Sequence, residues 1–117
     1  MKQNLDSLAW VITALYSVVS VVFIVPGYLL WMGKVPPNSV TGFRTAKTLA
    51  DPNLWYRVNS QMGREFVFLG VVILVTTLGL HFWITRERPL VTVVIIMAII
   101  LAGTTYSLIS GFSEINK

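Results

Sequence analysis

The chain is 117 residues long, with 55% of them hydrophobic and only 12% charged, and its mean hydropathy is +0.72. A soluble globular domain carries nearer a quarter of its residues charged, so this composition excludes a soluble fold and indicates an integral membrane protein. Nine Lys and Arg against five Asp and Glu leave +4, but the basic residues lie scattered beside apolar spans with no block or stripe, which argues against a nucleic-acid partner. With no Cys there is neither a disulfide framework nor a thiolate site, and one His without Cys gives no basis for a zinc or iron centre. No metal and no other cofactor is expected.

Met1 to Ser7 is a short polar lead. Leu8 to Trp31 then runs without a charge for longer than the ~20 residues a bilayer core requires, and reads as the first transmembrane helix. The run is too long for a cleaved signal peptide and no small-x-small site follows it. Trp10 at one end and Tyr28 and Trp31 at the other suit an aromatic belt. Pro26 removes a backbone donor and predicts a kink near Val22, at a turn that neighbouring protein is expected to cover. Thr13, Tyr16, Ser17 and Ser20 share one helical face, which should point at other helices; interhelical hydrogen bonding is the plain reading and a polar cavity the alternative.

Residues 36–63 form the only long polar interval. Asp51 before Pro52 is a helix-start signal, with Asp as N-cap and Pro in the first turn. A helix from there places Trp55, Asn59 and Gly63 on one face at i, i+4 and i+8. Upstream, Asn38 follows two prolines, Gly42 allows a turn or a close backbone approach, and Arg44 and Thr48 pair at i, i+4 if residues 45–50 form a short helical turn. Arg44 offers a planar fork suited to phosphate or carboxylate, and the Thr45 and Thr48 hydroxyls could share the same oxyanion.

Two accounts of this constellation stand side by side. In one it is an interfacial or re-entrant loop in which Arg44 caps carbonyls at the end of the first helix, Asn59 bonds loop backbone and Trp55 anchors at the headgroups. In the other the same groups line a pocket or docking surface for an anionic group, a lipid headgroup or a partner protein. Arg57, Arg64 and Lys47 are read as headgroup contacts and inside-positive charge.

Phe66 to Ile84 and Leu90 to Phe112 are the second and third spans, joined by a tight turn through Thr85-Arg86-Glu87-Arg88-Pro89. Gly63, Gly70 and Thr77 recur every seven residues on the second helix, and Gly103, Ser107 and Gly111 form a small-residue ladder on the third, so close helix approach is expected. His81, beside Phe82 and Trp83, reads as an interfacial residue. Lys34, Arg44, Lys47, Arg57, Arg64 and Lys117 on one side outnumber Lys2, Arg86 and Arg88 on the other, which places the polar segment and the C-terminus in the cytoplasm and the N-terminus outside. The expected fold is all-α: a single three-span domain over 1–117, with spans at about 8–31, 66–84 and 90–112 and a cytoplasmic or interfacial loop between the first two.

The order Gly42-x-Arg44-Thr45-x-x-Thr48-Leu49, followed by Trp55-x-x-x-Asn59-x-x-x-Gly63 with Pro37 and Asn38 upstream, resembles the signature of the SdpI family of small bacterial membrane proteins. The resemblance implies a multi-pass protein of the bacterial plasma membrane that acts by binding, in immunity to a toxic peptide or in signalling through capture of a regulatory protein at the membrane. It implies a binding role for Asn38, Gly42, Arg44, Thr45, Thr48, Trp55, Asn59 and Gly63. The characterised immunity protein of the family has further spans ahead of this unit.

A catalytic set is not expected: the acids Asp6, Asp51, Glu65, Glu87 and Glu114 are scattered, and His81 should lie across the membrane from the motif. A transporter generally needs an ionisable group or broken helix near the midplane, and the three spans lack Asp, Glu, Lys and Arg. A small membrane transporter or a channel-forming homo-oligomer along the Thr13–Ser20 stripe, or a lipid-headgroup-binding subunit of a larger membrane complex, are the alternatives.

Overall fold

A computed structural model describes residues 2–117; Met1 and the side chain of Lys2, which entered the charge count, lie outside the described part. Four α-helices account for most of the chain: α1 (Lys2–Trp31), the short α2 (Ala46–Ala50), α3 (Pro52–Leu80) and α4 (Pro89–Ile115), with a turn of π-helix at His81–Thr85 extending α3. Three stretches, Gln3–Trp31, Pro52–Thr85 and Pro89–Ile115, are long and apolar enough to cross a membrane. The protein is a three-span, all-α membrane protein, an elongated bundle of 56 × 22 × 19 Å.

Local chemistry sets the helix ends. At the end of α1, Gly33 takes φ +70, and the Lys34 and Gly33 amides donate back to the carbonyls of Leu29 and Leu30 at 2.9 and 3.1 Å. This paired return satisfies the last carbonyls and turns the chain out of the helix at a residue without a Cβ. The Trp31 carbonyl accepts from Ser60 Oγ at 2.9 Å, which takes the capping role expected of Arg44. Asp51 caps α3 as its sequence predicts, accepting from the Asn53 and Leu54 amides at 3.0 and 3.4 Å with Pro52 beside it. Pro89 likewise stands in the first turn of α4, there without a side-chain cap.

The central helix is α3, and small residues let the others approach it. A Cβ on Gly27 would lie 2.9 Å from the Gly63 carbonyl, and a Cβ on Gly63 would strike the Gly27 carbonyl and the Trp31 amide, so the α1–α3 crossing is built from two facing glycines. Gly70 receives Ile24 and the Ser20 carbonyl of α1, while Gly103 of α4 receives Leu69. Ile12, Tyr16, Leu69, Ile73 and Ile96 form the buried core between the three spans. The polar stripe of α1 turns inward as its spacing predicts: Thr13, Tyr16 and Ser20 are buried, and Tyr16 donates to the Val93 carbonyl of α4 at 3.3 Å. The turn below Pro26 is only partly covered. Pro26 is half-buried and Val22 is exposed; the two line an open groove with Phe43 of the connector, Met62 and Phe66 of α3 and Leu108 of α4, so the turn is flanked by protein without being sealed, and α1 is helical through it to Trp31.

Ion pairs mark the two ends of the bundle. Asp6 and Arg86 meet at 3.3 Å, placing the start of α1 beside the α3–α4 turn. At the other end Glu114 takes Arg57 at 3.2 Å and Lys117 at 3.1 Å, tying the end of α4 to the polar connector.

His81 does not face outward with its neighbours. Phe82 and Trp83 are exposed as an aromatic belt requires, but His81 is 2% exposed, and its Nδ1 shares a 2.6 Å hydrogen bond with Thr13 Oγ1. His81 follows buried Thr77 by four residues, and its amide still donates to the Thr77 carbonyl, so it continues the inward face of α3; through the π-helical turn Thr85 also faces the bundle, while Phe82 and Trp83 face outward. Thr85 in turn meets Thr92 of α4 at 2.6 Å.

Candidate functional site

The connector between α1 and α3 folds around one backbone unit, the amide and carbonyl of Phe43. The Phe43 amide donates to Asn59 Oδ1 at 2.5 Å. The Phe43 carbonyl accepts from Thr48 Oγ1 at 3.0 Å and from Asn59 Nδ2 at 3.4 Å. Asn59 Nδ2 also reaches the Trp55 carbonyl at 3.0 Å. An amide side chain is suited to this position because it donates and accepts at once and so pairs with both ends of a residue in an extended loop. Asn59 and Thr48 are buried at 1% and 0% exposure, where unpaired polar atoms would be costly.

Gly42 makes the arrangement possible. Its φ is +113, and a Cβ there would stand 2.7 Å from Asn59 Oδ1 and 3.1 Å from the Trp55 ring. The loop therefore lies flat on the indole and amide only because that residue has no side chain and tolerates positive φ. Trp55 is fully buried beneath it, and its Nε1 donates to the Val35 carbonyl at 2.9 Å, holding the start of the loop as Asn59 holds its middle. This burial replaces the headgroup-anchor role that one reading assigned to Trp55.

Thr45 and Thr48 act on each other. Thr45 caps α2 by accepting from the Thr48 amide at 3.1 Å, and Thr48 Oγ1 accepts from the Thr45 amide at 2.8 Å, a reciprocal capping box. Asn38 staples the outer part of the loop. Its Oδ1 accepts from the Val40 and Thr41 amides at 2.8 and 2.7 Å, and its Nδ2 donates to the Pro36 and Thr41 carbonyls at 2.7 and 3.2 Å. Phe43 inserts its ring beside Val58 and Met62, packs edge-on against Phe112 with ring centroids 5.1 Å apart, and covers Gly111. Gly63 belongs to the α1–α3 crossing one turn further along the same helical face.

Of the residues singled out by sequence, Gly42, Thr45, Thr48, Trp55 and Asn59 are brought together, but their polar atoms are engaged by loop backbone and by one another. Arg44 faces outward, and its guanidinium bonds only the Ser39 carbonyl. Among the described residues no carboxylate pairs with Arg44 or with the exposed Lys47 beside it. Val40, 77% exposed, and Leu49, 47% exposed, are large apolar side chains that the connector leaves open. Sequence reasoning missed Phe43, because its contribution lies in its main chain, and Ser60, whose hydroxyl serves a carbonyl 29 positions away.

Three spanning helices and a stapled polar connector define a small multi-pass membrane protein whose soluble-facing part is a folded platform. The SdpI/YfhL protein family matches residues 34–107, a stretch that holds the connector, the whole of α3 and most of α4, and the chain belongs to that family. No curated protein and no solved structure is significantly similar to it.

Proposed function

We propose that the chain works by binding and not by catalysis: it protects the cell against a toxic peptide, or signals its arrival, by receiving a partner on the outer rim of the connector. One observation carries this reading. The buried residues of the motif are satisfied internally, so they hold the loop in one shape, and the outer side of that loop exposes two cations, Arg44 and Lys47, without carboxylate partners among the described residues, together with the apolar Val40 and Leu49. A preorganised surface of that kind binds an acidic or amphipathic segment without first paying for the ordering of the loop. Catalysis finds no support in the placement of groups. His81 is about 22 residues along the α3 axis from Asn59, roughly 33 Å at ~1.5 Å per residue.

The proposed orientation puts this rim in the cytoplasm, on the side favoured by the count of Lys and Arg. Membrane lipids surround the spans, and a regulatory protein or the toxic peptide itself meets the rim. The test compares cells carrying the wild type with cells carrying Arg44→Ala/Lys47→Ala, each challenged with secreted membrane-active peptides and each measured for membrane abundance of the protein. The double variant should remain in the membrane at wild-type level and lose protection or partner co-purification by tenfold or more, about 1.4 kcal/mol of binding. Retained protection at equal abundance would refute the rim as the binding surface.

A further inference from the structure

On the opposite flank of α3 from the connector, an open groove of about 710 Å³ runs between α3 and α4. Its walls are mostly apolar, with Phe68, Leu69 and Val72 on one side and Ile99, Ala102 and Gly103 on the other; Tyr106 and Ser107 of α4 and Arg64 and Glu65 of α3 complete the lining. Gly103 shapes the floor, since even a Cβ there would meet Leu69.

The two charges at its end are unlike the rest of the lining. Arg64 is exposed and, among the described residues, has no carboxylate within salt-bridge distance. Glu65 keeps its Oε1 buried without a hydrogen-bond donor. Ser110, which accepts from Gln61 Nε2 at 2.5 Å, turns its hydroxyl to the Glu65 carboxylate, so Oε1 is the oxygen left without a donor. Carboxylate oxygens seldom stay unpaired when buried, and the last torsion of a Glu side chain turns freely enough to present either oxygen to the groove. The pair also stands at a particular depth. The uncharged run of α3 begins at Phe66 and ends at Ile84, about 28 Å of helix, close to the ~30 Å hydrocarbon core. Arg64 and Glu65 are therefore level with the lipid headgroups, and the groove descends from them into the acyl region.

We propose that this groove is a site for a phosphoethanolamine lipid. The phosphate accepts from the Arg64 guanidinium, the primary ammonium donates to the Glu65 carboxylate, and one acyl chain lies along Phe68, Val72, Ile99 and Ala102. Charge complementarity selects this occupant over other bilayer lipids. A phosphoglycerol headgroup brings no cation to Glu65. A phosphocholine headgroup brings a cation that has no N–H to donate, so the buried oxygen stays unpaired.

The test is native mass spectrometry of the purified full chain in detergent, with dioleoyl phosphatidylethanolamine, phosphatidylcholine and phosphatidylglycerol added in equal amounts. The wild type should retain phosphatidylethanolamine about tenfold over phosphatidylcholine, the low end of what one charge-assisted hydrogen bond contributes. Glu65→Gln should erase that preference while leaving weak retention of all three lipids, and Arg64→Ala should lower retention of all three. Ala102→Phe, which fills the groove from an exposed position, should abolish retention with helicity unchanged. Equal retention of the three lipids by the wild type, a preference that survives Glu65→Gln, or a lipid-free dimer joined through this groove would overturn the proposal.

Discussion

Phe43 is the residue around which the polar connector is built, and its contribution lies mostly in its backbone. Thr48 and Asn59 converge on its amide and carbonyl, and Gly42 removes the Cβ that would keep them apart. Removing the amide of Asn59 leaves the buried Phe43 N–H without an acceptor, and a loss of that kind costs about 1–3 kcal/mol. Asn59→Ala is therefore expected to lower the thermal midpoint of the detergent-solubilised protein. Asn59→Asp, which keeps an acceptor for the amide but cannot donate to the carbonyls, should still fall short of wild type. At this scale the sequence was only partly legible. The i, i+4, i+8 spacing of Trp55, Asn59 and Gly63 correctly put them on one face, since helical periodicity is a local property. What that face meets depends on a loop arriving from 16 residues upstream. For that reason the indole could be read as a headgroup anchor when it is covered by Gly42, and the guanidinium of Arg44 could be read as a helix cap when it bonds the Ser39 carbonyl.

Among the elements, helix starts were the best-written feature of the chain. Asp51 with Pro52, and Pro89 after the Arg88 turn, announce α3 and α4 through capping and the fixed φ of proline, both of which act within one turn. The π-helical turn at His81–Thr85 had no such announcement. It occurs inside an apolar run without a breaker, and it begins at His81, which meets Thr13, 68 positions away. The glycine spacing forecast helix approach at Gly63, Gly70 and Gly103, whereas Gly111 receives the ring of Phe43 from the connector. At the α1–α3 crossing the neighbours of Gly63 are backbone atoms of Gly27 and Trp31, which cannot rotate out of the way. Gly63→Leu should therefore destabilise the bundle by at least ~1–3 kcal/mol. Gly79→Leu, at a position where a Cβ would meet nothing within 4 Å, should stay within ~0.5 kcal/mol of wild type. The ratio of monodisperse protein recovered after heating in detergent distinguishes the two.

For the molecule as a whole, the apolar runs fixed the number of spans directly, because only a helix of ~20 residues satisfies its own backbone across the hydrocarbon core. The ion pairs then group the chain by end: Asp6 with Arg86 at one, and Glu114 with Arg57 and Lys117 at the other. The binding account depends on which end lies in the cytoplasm. A folded platform with two unpaired cations on its rim can receive an intracellular regulator only if it faces inward, and the excess of Lys and Arg at that end is the physical reason to expect that it does. The chain has no cysteine, so single cysteines report without background. Ser39→Cys, on the rim, and Glu87→Cys, in the α3–α4 turn, are both exposed positions. With a membrane-impermeant maleimide on intact spheroplasts, the account predicts labelling at position 87 at once and at position 39 only after permeabilisation. Labelling at position 39 in sealed spheroplasts, with position 87 protected, would contradict it.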